Sequence, residues 1–279
     1  MSVLVTGGGG QLARAIAATW IGEDVLLLDR HALDIGQPGA AMEVLRAHSP
    51  SVVINAGAHT QVDLCESEPE RAQLLNATAV RWLAEACDAQ GALLVQISTD
   101  YVFDGLGTRP YREGDPTGPR SVYGRTKLQG EQEAAKAAEH LIVRSSWLYE
   151  VWGRNFYNTM LDMAAKGRAL RVVDDQRGAP TSCRALARQL HAAVEEGWRG
   201  TVHATCGGEA TWFQFAQAIF QASGIAADLS PCATSEFPRP ATRPAYSVLS
   251  GEKRRSLGHD VMPDWREALA EVAAAGAES

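Results

Sequence analysis

The sequence predicts an α/β fold in which helices cover both faces of a doubly wound parallel sheet, with a smaller C-terminal α/β domain. In the first half, short apolar runs alternate with segments of helical period. A glycine-rich turn at 7–10 follows the first run and opens the first helical segment. The second half alternates less regularly. We therefore expect a first domain over 1–150 and a second over 151–279, with segments of the second returning to the first.

The elements are predicted in chain order. Apolar runs bounded by turn residues indicate strands at 3–5, 25–28, 52–55, 93–98 and 141–144. Helical period indicates helices at 11–20, 38–47, about 68–89 and 121–138. In the second half, short strands at 170–173 and 201–203 lie among helices near 154–166, 182–195, 211–223 and 263–274. The proline cluster at 237–244 indicates an extended loop, which either wraps a ligand or joins two elements.

Composition excludes several classes of protein. The chain has 279 residues, of which 46% are hydrophobic and 21% charged, as in ordinary globular proteins. A net charge of −7 argues against nucleic-acid binding. Five cysteines without a ligand pattern indicate buried reduced thiols, and the scattered histidines indicate no metal site. No apolar run approaches the ~20 residues of a membrane span, and residues 3–5 are too short for a signal peptide. A soluble cytoplasmic protein is expected.

The first three predicted strands end in residues suited to a dinucleotide. Glycines allow a tight turn and close approach of a pyrophosphate to the following helix. Asp29 stands about 20 residues after that turn. In dinucleotide-binding folds a carboxylate at this spacing accepts hydrogen bonds from the hydroxyls of the adenine ribose. Arg30 could instead meet a 2′-phosphate, so NADH and NADPH both remain open. The cofactor-binding candidates at these strand ends are Gly7, Gly10, Gln11, Leu12, Asp29, Arg30, Asp34, Ile35, Ala56, Ala58, His59 and Thr60.

A tyrosine and a lysine four residues apart indicate proton transfer. Tyr123 and Lys127 lie one helical turn apart and share a helix face. A phenol has a pKa of about 10, and a nearby ammonium brings that value toward neutrality. Thr99 ends the fourth strand, where its hydroxyl and the phenol would form two donors to a developing alkoxide. The Ser-Thr-Asp sequence ending at Asp100 is equally typical of a cap or turn.

These motifs resemble a known family. The chain is similar to the extended short-chain dehydrogenases, and within them to the dTDP-4-dehydrorhamnose reductases, from Val3 to about Leu269. The glycine turn and the Tyr-x-x-x-Lys pair are shared by the whole superfamily. The segments that carry the resemblance are 7–13, 55–63, 66–69, 98–105, 123–127, 144–147, 175–181 and 243–244.

The resemblance implies reduction of the C4 ketone of dTDP-4-dehydro-L-rhamnose by NADPH or NADH in a Rossmann-like first domain, with a nucleotide-sugar substrate held mainly by the second. It implies that Tyr123 donates the proton and contacts both cofactor and substrate. It also implies that Lys127 binds the nicotinamide ribose and lowers the pKa of Tyr123, and that Thr99 orients the carbonyl. Asp100 belongs to the implied substrate site.

Three further residues matched by the resemblance have ordinary alternatives. Asn76 either helps to position the side chain of Lys127 or is a solvated helix residue. Trp147 lies against the deoxysugar or belongs to the core. Arg243 meets the nucleotide diphosphate or is a surface arginine.

Departures and alternatives remain. Ala15 and Arg184 stand where some family members hold magnesium between subunits, so a magnesium-bridged dimer is not expected, while monomer and homodimer stay open. Sugar 4,6-dehydratases place a glutamate where this chain has Tyr101, which disfavours dehydration. A related 4-keto-6-deoxysugar reductase, an epimerase that retains NAD, and a non-catalytic subunit of a methionine adenosyltransferase are the competing interpretations.

Overall fold

A six-stranded parallel sheet forms the centre of the protein. The computed structural model describes residues 1–277, so the last two residues of the predicted second domain, 278–279, lie outside the described residues. The strands are β1 (Ser2–Thr6), β2 (Asp24–Leu28), β3 (Val52–Asn55), β4 (Leu93–Thr99), β5 (His140–Ser145), β6 (Leu148–Tyr149), β7 (Leu170–Val173), β8 (Arg177–Gly178), β9 (Thr181–Ser182), β10 (Gly200–His203), β11 (Ala210–Thr211) and β12 (Leu229–Cys232).

The strand order in the central sheet is β10-β5-β4-β3-β1-β2. The chain starts in β1, moves outward to β2, and then returns past β1 to β3 and onward. This reversal creates a switch point between β1 and β3, where ligands bind in doubly wound sheets. Strand β10 pairs with β5, so the strand predicted at 201–203 is part of the central sheet.

Helices lie on both faces of the sheet. They are α1 (Gln11–Thr19), α2 (Ala40–His48), α3 (Val62–Ser67), α4 (Pro69–Gln73), α5 (Ala79–Gln90), α6 (Val122–Ala134), α7 (Phe156–Ala165), α8 (Cys183–Glu195), α9 (Trp212–Ala222), α10 (Glu252–Leu257) and α11 (Trp265–Ala277). A π-helical turn (Leu74–Thr78) joins α4 to α5, and 3₁₀ turns occur at Asp100–Val102 and Thr234–Glu236.

Successive side chains along the central strands point to opposite faces of the sheet and so contribute to two separate apolar layers. In β1, Val3 and Val5 pack with α1 and α8, whereas Leu4 packs with α2 and α5 on the opposite face. Central strands are therefore apolar on both sides, which explains why their sequences read as short continuous runs. A third layer, around Phe215 and Trp265, forms the core of the second half.

Side-chain caps set the starts of the site-bearing helices. Ser121 accepts a hydrogen bond from the backbone N–H of Gly124 and starts α6. Asn155 starts α7 in the same way. Thr211 and Gln214 form a capping box at α9.

The first-half elements and the predicted α/β fold are confirmed, with local corrections. The helix predicted at about 68–89 is interrupted by the π-helical turn, and the helix predicted at 121–138 ends at Ala134. Helices α3 and α10 have six residues each, too few to give a helical period, and were missed. All five cysteines are free and buried. Within residues 1–277 the structure contains no helix with the length and apolar character needed to cross a membrane.

Candidate active site

A cavity of about 630 Å³ opens at the carboxyl ends of β1, β3, β4 and β5. These strand ends meet there because parallel strands all point the same way across the sheet. Twelve of the predicted site residues line this cavity. They are Gly7, Gly10, Gln11, Leu12, Ala56, Ala58, Thr60, Thr99, Asp100, Tyr123, Lys127 and Trp147.

The glycine turn has a shape that fits a dinucleotide. Gly7 has a φ of +67°, and a side chain there would lie 3.0 Å from Gly57. A side chain at Gly8 would lie 2.9 Å from the backbone of Leu28, whereas Gly9 faces open space. Gly10 caps α1 without any side-chain hydrogen bond, and the first turn of α1 carries no acidic residue. The first N–H groups of the helix are therefore available to an anion in the cavity.

Four predicted cofactor residues do not line the cavity. One carboxylate oxygen of Asp29 accepts from the backbone N–H groups of His31 and Ala32, at 2.9 and 3.0 Å, and these bonds lower its pKa. Arg30 is exposed, with its Nε 3.5 Å from the carboxylate of Asp34. Ile35 is buried, and a side chain on Gly57 would meet it.

His59 is the fifth such residue. It is buried, and its ring lies 3.6 Å from Glu68. The side chain of Asn76 makes two hydrogen bonds with the backbone of His59. It accepts from the His59 N–H at 2.8 Å and donates to the His59 carbonyl at 3.1 Å. Asn76 also donates to the Thr126 hydroxyl on α6 at 3.1 Å. Asn76 is 1% exposed, so the alternative of a solvated helix residue is wrong.

Tyr123 and Lys127 are buried in the first two turns of α6. The Nζ of Lys127 donates to the backbone carbonyl of Ile97 at 2.6 Å. Burial lowers the pKa of Lys127 to about 8. Burial also raises the pKa of Tyr123, hydrogen bonding with Thr99 opposes the rise, and the carboxylate of Asp100 adds to it. Desolvation of the phenol therefore dominates the pKa of Tyr123 in this structure, and the lowering of that pKa by Lys127 stays a prediction.

Thr99 and Asp100 form a coupled pair at the end of β4. The Thr99 hydroxyl donates to the Asp100 carboxylate at 2.9 Å and accepts from the backbone N–H of Tyr101 at 3.3 Å. Burial raises the pKa of Asp100 to about 6, although hydrogen bonds with Ser247 and Thr99 oppose the rise. A substrate oxygen that accepts from Thr99 therefore competes with Asp100 for the hydroxyl hydrogen.

Asp100→Asn is expected to stabilise the protein at pH 8 by roughly 2–3 kcal/mol, because a gap of about two pKa units separates the folded and unfolded states. A carboxyl with a raised folded pKa stabilises most below its unfolded pKa of 3.8, and this contribution falls as the pH rises toward 6. The gain should therefore shrink as the pH falls to 4. Urea unfolding of both proteins at several pH values measures it.

Asp115→Asn is the control of opposite sign. Pairing with Arg109 lowers the pKa of the half-buried Asp115 to about 2, so this change should not stabilise the protein at pH 8. Equal shifts for both variants would contradict the assignment of the effect to burial of Asp100.

An ion pair beneath α6 was missed by sequence reasoning. Arg144 on β5 donates to both carboxylate oxygens of Glu131 on α6, from Nε at 2.9 Å and from Nη2 at 2.7 Å. The Ser98 hydroxyl donates to the same carboxylate. The two side chains of the pair are 7% and 5% exposed. Glu131 opposes the lowering of the Lys127 pKa, so this pair belongs to the electrostatics of the site.

Four further cavity residues, Gly153, Arg154, Asn155 and Trp212, come from the second half and were also missed. Arg154 and Asn155 line the cavity near the glycine turn, and Asn155 donates to the side-chain oxygen of Gln11 at 3.1 Å. Trp212, the first residue of α9, lines it near Trp147. The only sequence signal at Trp212 is the preceding cap residue, which marks a helix start and indicates nothing about a cavity.

Arg243 does not line the cavity. Its Nη2 donates to the Asp63 carboxylate at 2.8 Å, and its Nη1 lies 3.5 Å from the Tyr101 hydroxyl. The backbone N–H of Ala241 also donates to Asp63, at 3.3 Å. The proline-rich loop is therefore fastened to the segment that follows β3, and Arg243 is 19% exposed and ion-paired.

The positions considered for magnesium hold no ligand set. Ala15 is fully buried in the apolar layer, and Arg184 forms an ion pair with the buried Glu150 at 3.1 Å. Elsewhere in residues 1–277, Glu23, His191 and Glu195 place possible ligand atoms within 4.8 Å of one another. His191 lies between the two carboxylates at ion-pair distances, which accounts for this cluster without a metal.

Comparison with known proteins identifies the family. A family model described as the RmlD substrate binding domain matches residues 1–277. A dTDP-4-dehydrorhamnose reductase from Clostridium acetobutylicum has a crystal structure that matches with a TM-score of 0.96 and 42% identity, covering 99% of each chain. The chain belongs to the dTDP-4-dehydrorhamnose reductase family. The predicted resemblance and the Rossmann-like fold class are confirmed.

Two other family relatives bear on substrate and cofactor. A probable dTDP-4,6-dihydroxy-2-methyloxan-3-one 4-ketoreductase of Streptomyces antibioticus is 42% identical, covering 98% of this chain and 94% of the relative. A dTDP-4-dehydrorhamnose reductase from Bacillus anthracis, solved in complex with NADP, matches with a TM-score of 0.94 and 34% identity over 97% of each chain. Members of the family thus include reductases described for more than one sugar.

Proposed function

We propose that the protein reduces the C4 ketone of dTDP-4-dehydro-L-rhamnose to give dTDP-L-rhamnose, with NADPH or NADH as reductant. The observation that carries the proposal is the placement of Tyr123 in the same cavity as the uncapped start of α1. One end of this cavity suits a dinucleotide, and the other presents a buried proton donor. Family membership over residues 1–277 supports the same reaction.

We assign the cofactor to the end of the cavity where the lining residues are mostly small and carry no negative charge. Gly7, Gly10, Gln11 and Leu12 would hold the pyrophosphate at the start of α1. Ala56, Ala58 and Thr60 would flank the cofactor after β3, with Asp29, Arg30, Asp34 and Ile35 forming the supporting wall at the adenosine end. His59 would support the segment after β3 from behind. When bound, the reduced nicotinamide supplies the hydride. Asp29 favours NADH and Arg30 favours NADPH, so the test uses both cofactors.

Tyr123 acts as the proton donor. Reduction of a ketone requires a group that holds its proton until the alkoxide develops. The raised pKa of Tyr123 keeps the phenol protonated at neutral pH, which suits this direction of reaction. Lys127, charged below its pKa of about 8, is proposed to bind the nicotinamide ribose and to stabilise the phenolate that remains after transfer. Thr99 is the second donor to the carbonyl oxygen.

The nucleotide sugar is assigned to the opposite end of the cavity. Trp147 is proposed to pack against the deoxysugar, and Asp100 to act through Thr99. Arg243 is proposed to meet the diphosphate, for which it must exchange its bond with Asp63. In this assignment residues 1–150 hold mainly the cofactor and residues from 151 onward mainly the sugar. We also infer a cytoplasmic monomer or homodimer, and the free buried cysteines support a reducing compartment.

The first test measures loss of reduced-nicotinamide absorbance. The purified protein is mixed with dTDP-4-dehydro-L-rhamnose, generated in place from dTDP-glucose by the upstream dehydratase and 3,5-epimerase, and with NADPH or NADH in turn. We expect oxidation that requires the epimerase. Product identification by NMR then fixes the configuration at C4.

The other outcomes separate the alternatives. Oxidation without the epimerase would indicate a D-series ketosugar as the substrate. Stoichiometric NAD bound to the purified protein, with no oxidation, would indicate an epimerase. No cofactor and no turnover would indicate the regulatory interpretation.

A further inference from the structure

Trp147 adopts a backbone conformation that tryptophan rarely takes. Its φ is +49°, in the left-handed region. A bulky residue there is strained, so the surrounding structure must hold it in place. Strained residues of this kind cluster at ligand sites, and Trp147 lines the cavity.

Trp212 lies flat against the Trp147 ring. The two indole centroids are 3.5 Å apart, and the ring planes differ by 6°. Phe156 packs against Trp212 with a centroid distance of 4.6 Å. The backbone of Trp212 is fixed as well, because the capping-box residue Thr211 donates its hydroxyl to Asp174 at 2.5 Å. The second indole is thus held by the packing of Phe156 and by a fixed helix start.

Gly178 leaves the space that the Trp147 ring occupies. A side chain at Gly178 would lie 2.4 Å from Cε2 of that ring. The Ser146 hydroxyl donates to the Ala179 carbonyl at 2.8 Å, which ties the two segments together beside the ring. Glycine at 178 and tryptophan at 212 together define one position for the Trp147 indole.

The indole pair differs from the rest of its core. Phe215 and Trp265 are 0% and 1% exposed, whereas Trp147 and Trp212 are only partly buried and both line the cavity. Two stacked indoles open to a cavity form a rigid apolar wall, which favours C–H groups over hydroxyls.

We propose that Trp212 is a positioning and specificity-determining residue: it holds Trp147 in its strained conformation, and the two indoles receive the methyl-bearing face of the 6-deoxysugar. This proposal rests on the proposed function. It extends that function because Trp212 then selects the 6-deoxy group over a 6-hydroxyl.

The test compares Trp212→Ala and Trp212→Phe with the wild type by steady-state kinetics. Trp212→Ala should raise KM for the sugar roughly 10- to 100-fold, comparable with the loss of a well-packed apolar contact, and leave KM for the cofactor unchanged. Trp212→Phe should restore most of the sugar affinity, because a phenyl ring can still stack on Trp147. Because Trp212 acts largely through Trp147, adding Trp212→Ala to Trp147→Ala should raise KM for the sugar by much less than Trp212→Ala does alone.

Trp265→Phe is the matched control. Trp265 lies in the same core but does not line the cavity, so its replacement should lower stability without raising KM for the sugar. A KM for the sugar within twofold of wild type in Trp212→Ala would overturn the proposal. So would equal effects of the Trp212 and Trp265 changes, or fully additive effects in the double variant.

Two measurements that need no turnover test the role of Trp212 independently of the proposed reaction. Stacked indoles give an exciton couplet in far-ultraviolet circular dichroism, which Trp212→Phe and Trp147→Phe should each abolish and Trp265→Phe should retain. Calorimetric titration with dTDP-L-rhamnose should show weaker binding for Trp212→Ala. A wild type that binds this sugar through Trp212 but oxidises no cofactor would contradict the reaction and support the indole pair.

Discussion

Tyr123→Phe is expected to lower kcat by about 10²- to 10⁴-fold, the usual contribution of a positioned general acid. The change removes the donor oxygen and keeps the ring that packs edge-to-face against Tyr101 at 5.5 Å. It also removes a buried hydroxyl whose raised pKa holds its proton at neutral pH. KM for the cofactor should change little, because the glycine turn lies at the other end of the cavity.

Tyr157→Phe provides the control for this prediction. Tyr157 is also buried, yet it belongs to the core of the second half and does not line the cavity. Its variant should keep near wild-type kcat. Single-turnover oxidation of NADPH, with cofactor affinity measured separately by fluorescence titration, separates loss of chemistry from loss of binding. A rate for Tyr123→Phe within tenfold of wild type would reject the proton-donor assignment.

Arg144→Met is expected to lower the free energy of unfolding by about 3–5 kcal/mol. Arg144 and Glu131 are 7% and 5% exposed and are joined by two hydrogen bonds. Removing the guanidinium leaves the Glu131 carboxylate buried without its partner. Replacing both residues together by apolar ones should cost less than the single change, because no buried charge then remains. Urea unfolding measures all three proteins.

The exposed pair Arg199–Glu139 is the matched control for Arg144. Its Nε to carboxylate distance is 2.6 Å, yet its members are 43% and 52% exposed. Arg199→Met should cost no more than about 1 kcal/mol, since water solvates the carboxylate that is left. Similar losses for the two single variants would show that burial does not set the strength of the Arg144 pair.

Periodicity in the sequence was sufficient to predict the elements that hold the proposed catalytic groups. The strand at 93–98 and the helix starting near 121 were both predicted, and they bring Thr99, Tyr123 and Lys127 to one cavity. Local signals are strong here because buried parallel strands are continuous apolar runs and α6 has a serine cap.

Long-range contacts were not predictable in the same way. The interruption at Leu74–Thr78 coincides with the bonds of Asn76 to His59 and Thr126, which no helical period encodes. The direction of the Tyr123 pKa shift depends on burial, which the four-residue spacing to Lys127 does not report. Arg243 was predicted as a ligand residue without any sign of its bond to Asp63.

The sequence by itself determined the sheet, its helices and the family, because apolar runs, glycine turns and the Tyr-x-x-x-Lys spacing are local properties of the chain. Tertiary structure alone decided which distant side chains complete the site. Trp212 meets Trp147, and Glu131 meets Arg144, only after the second half folds against the first and α6 packs on β5. The physical reason is that stacking, ion pairing and desolvation depend on distance and burial in space, which separation along the chain does not fix.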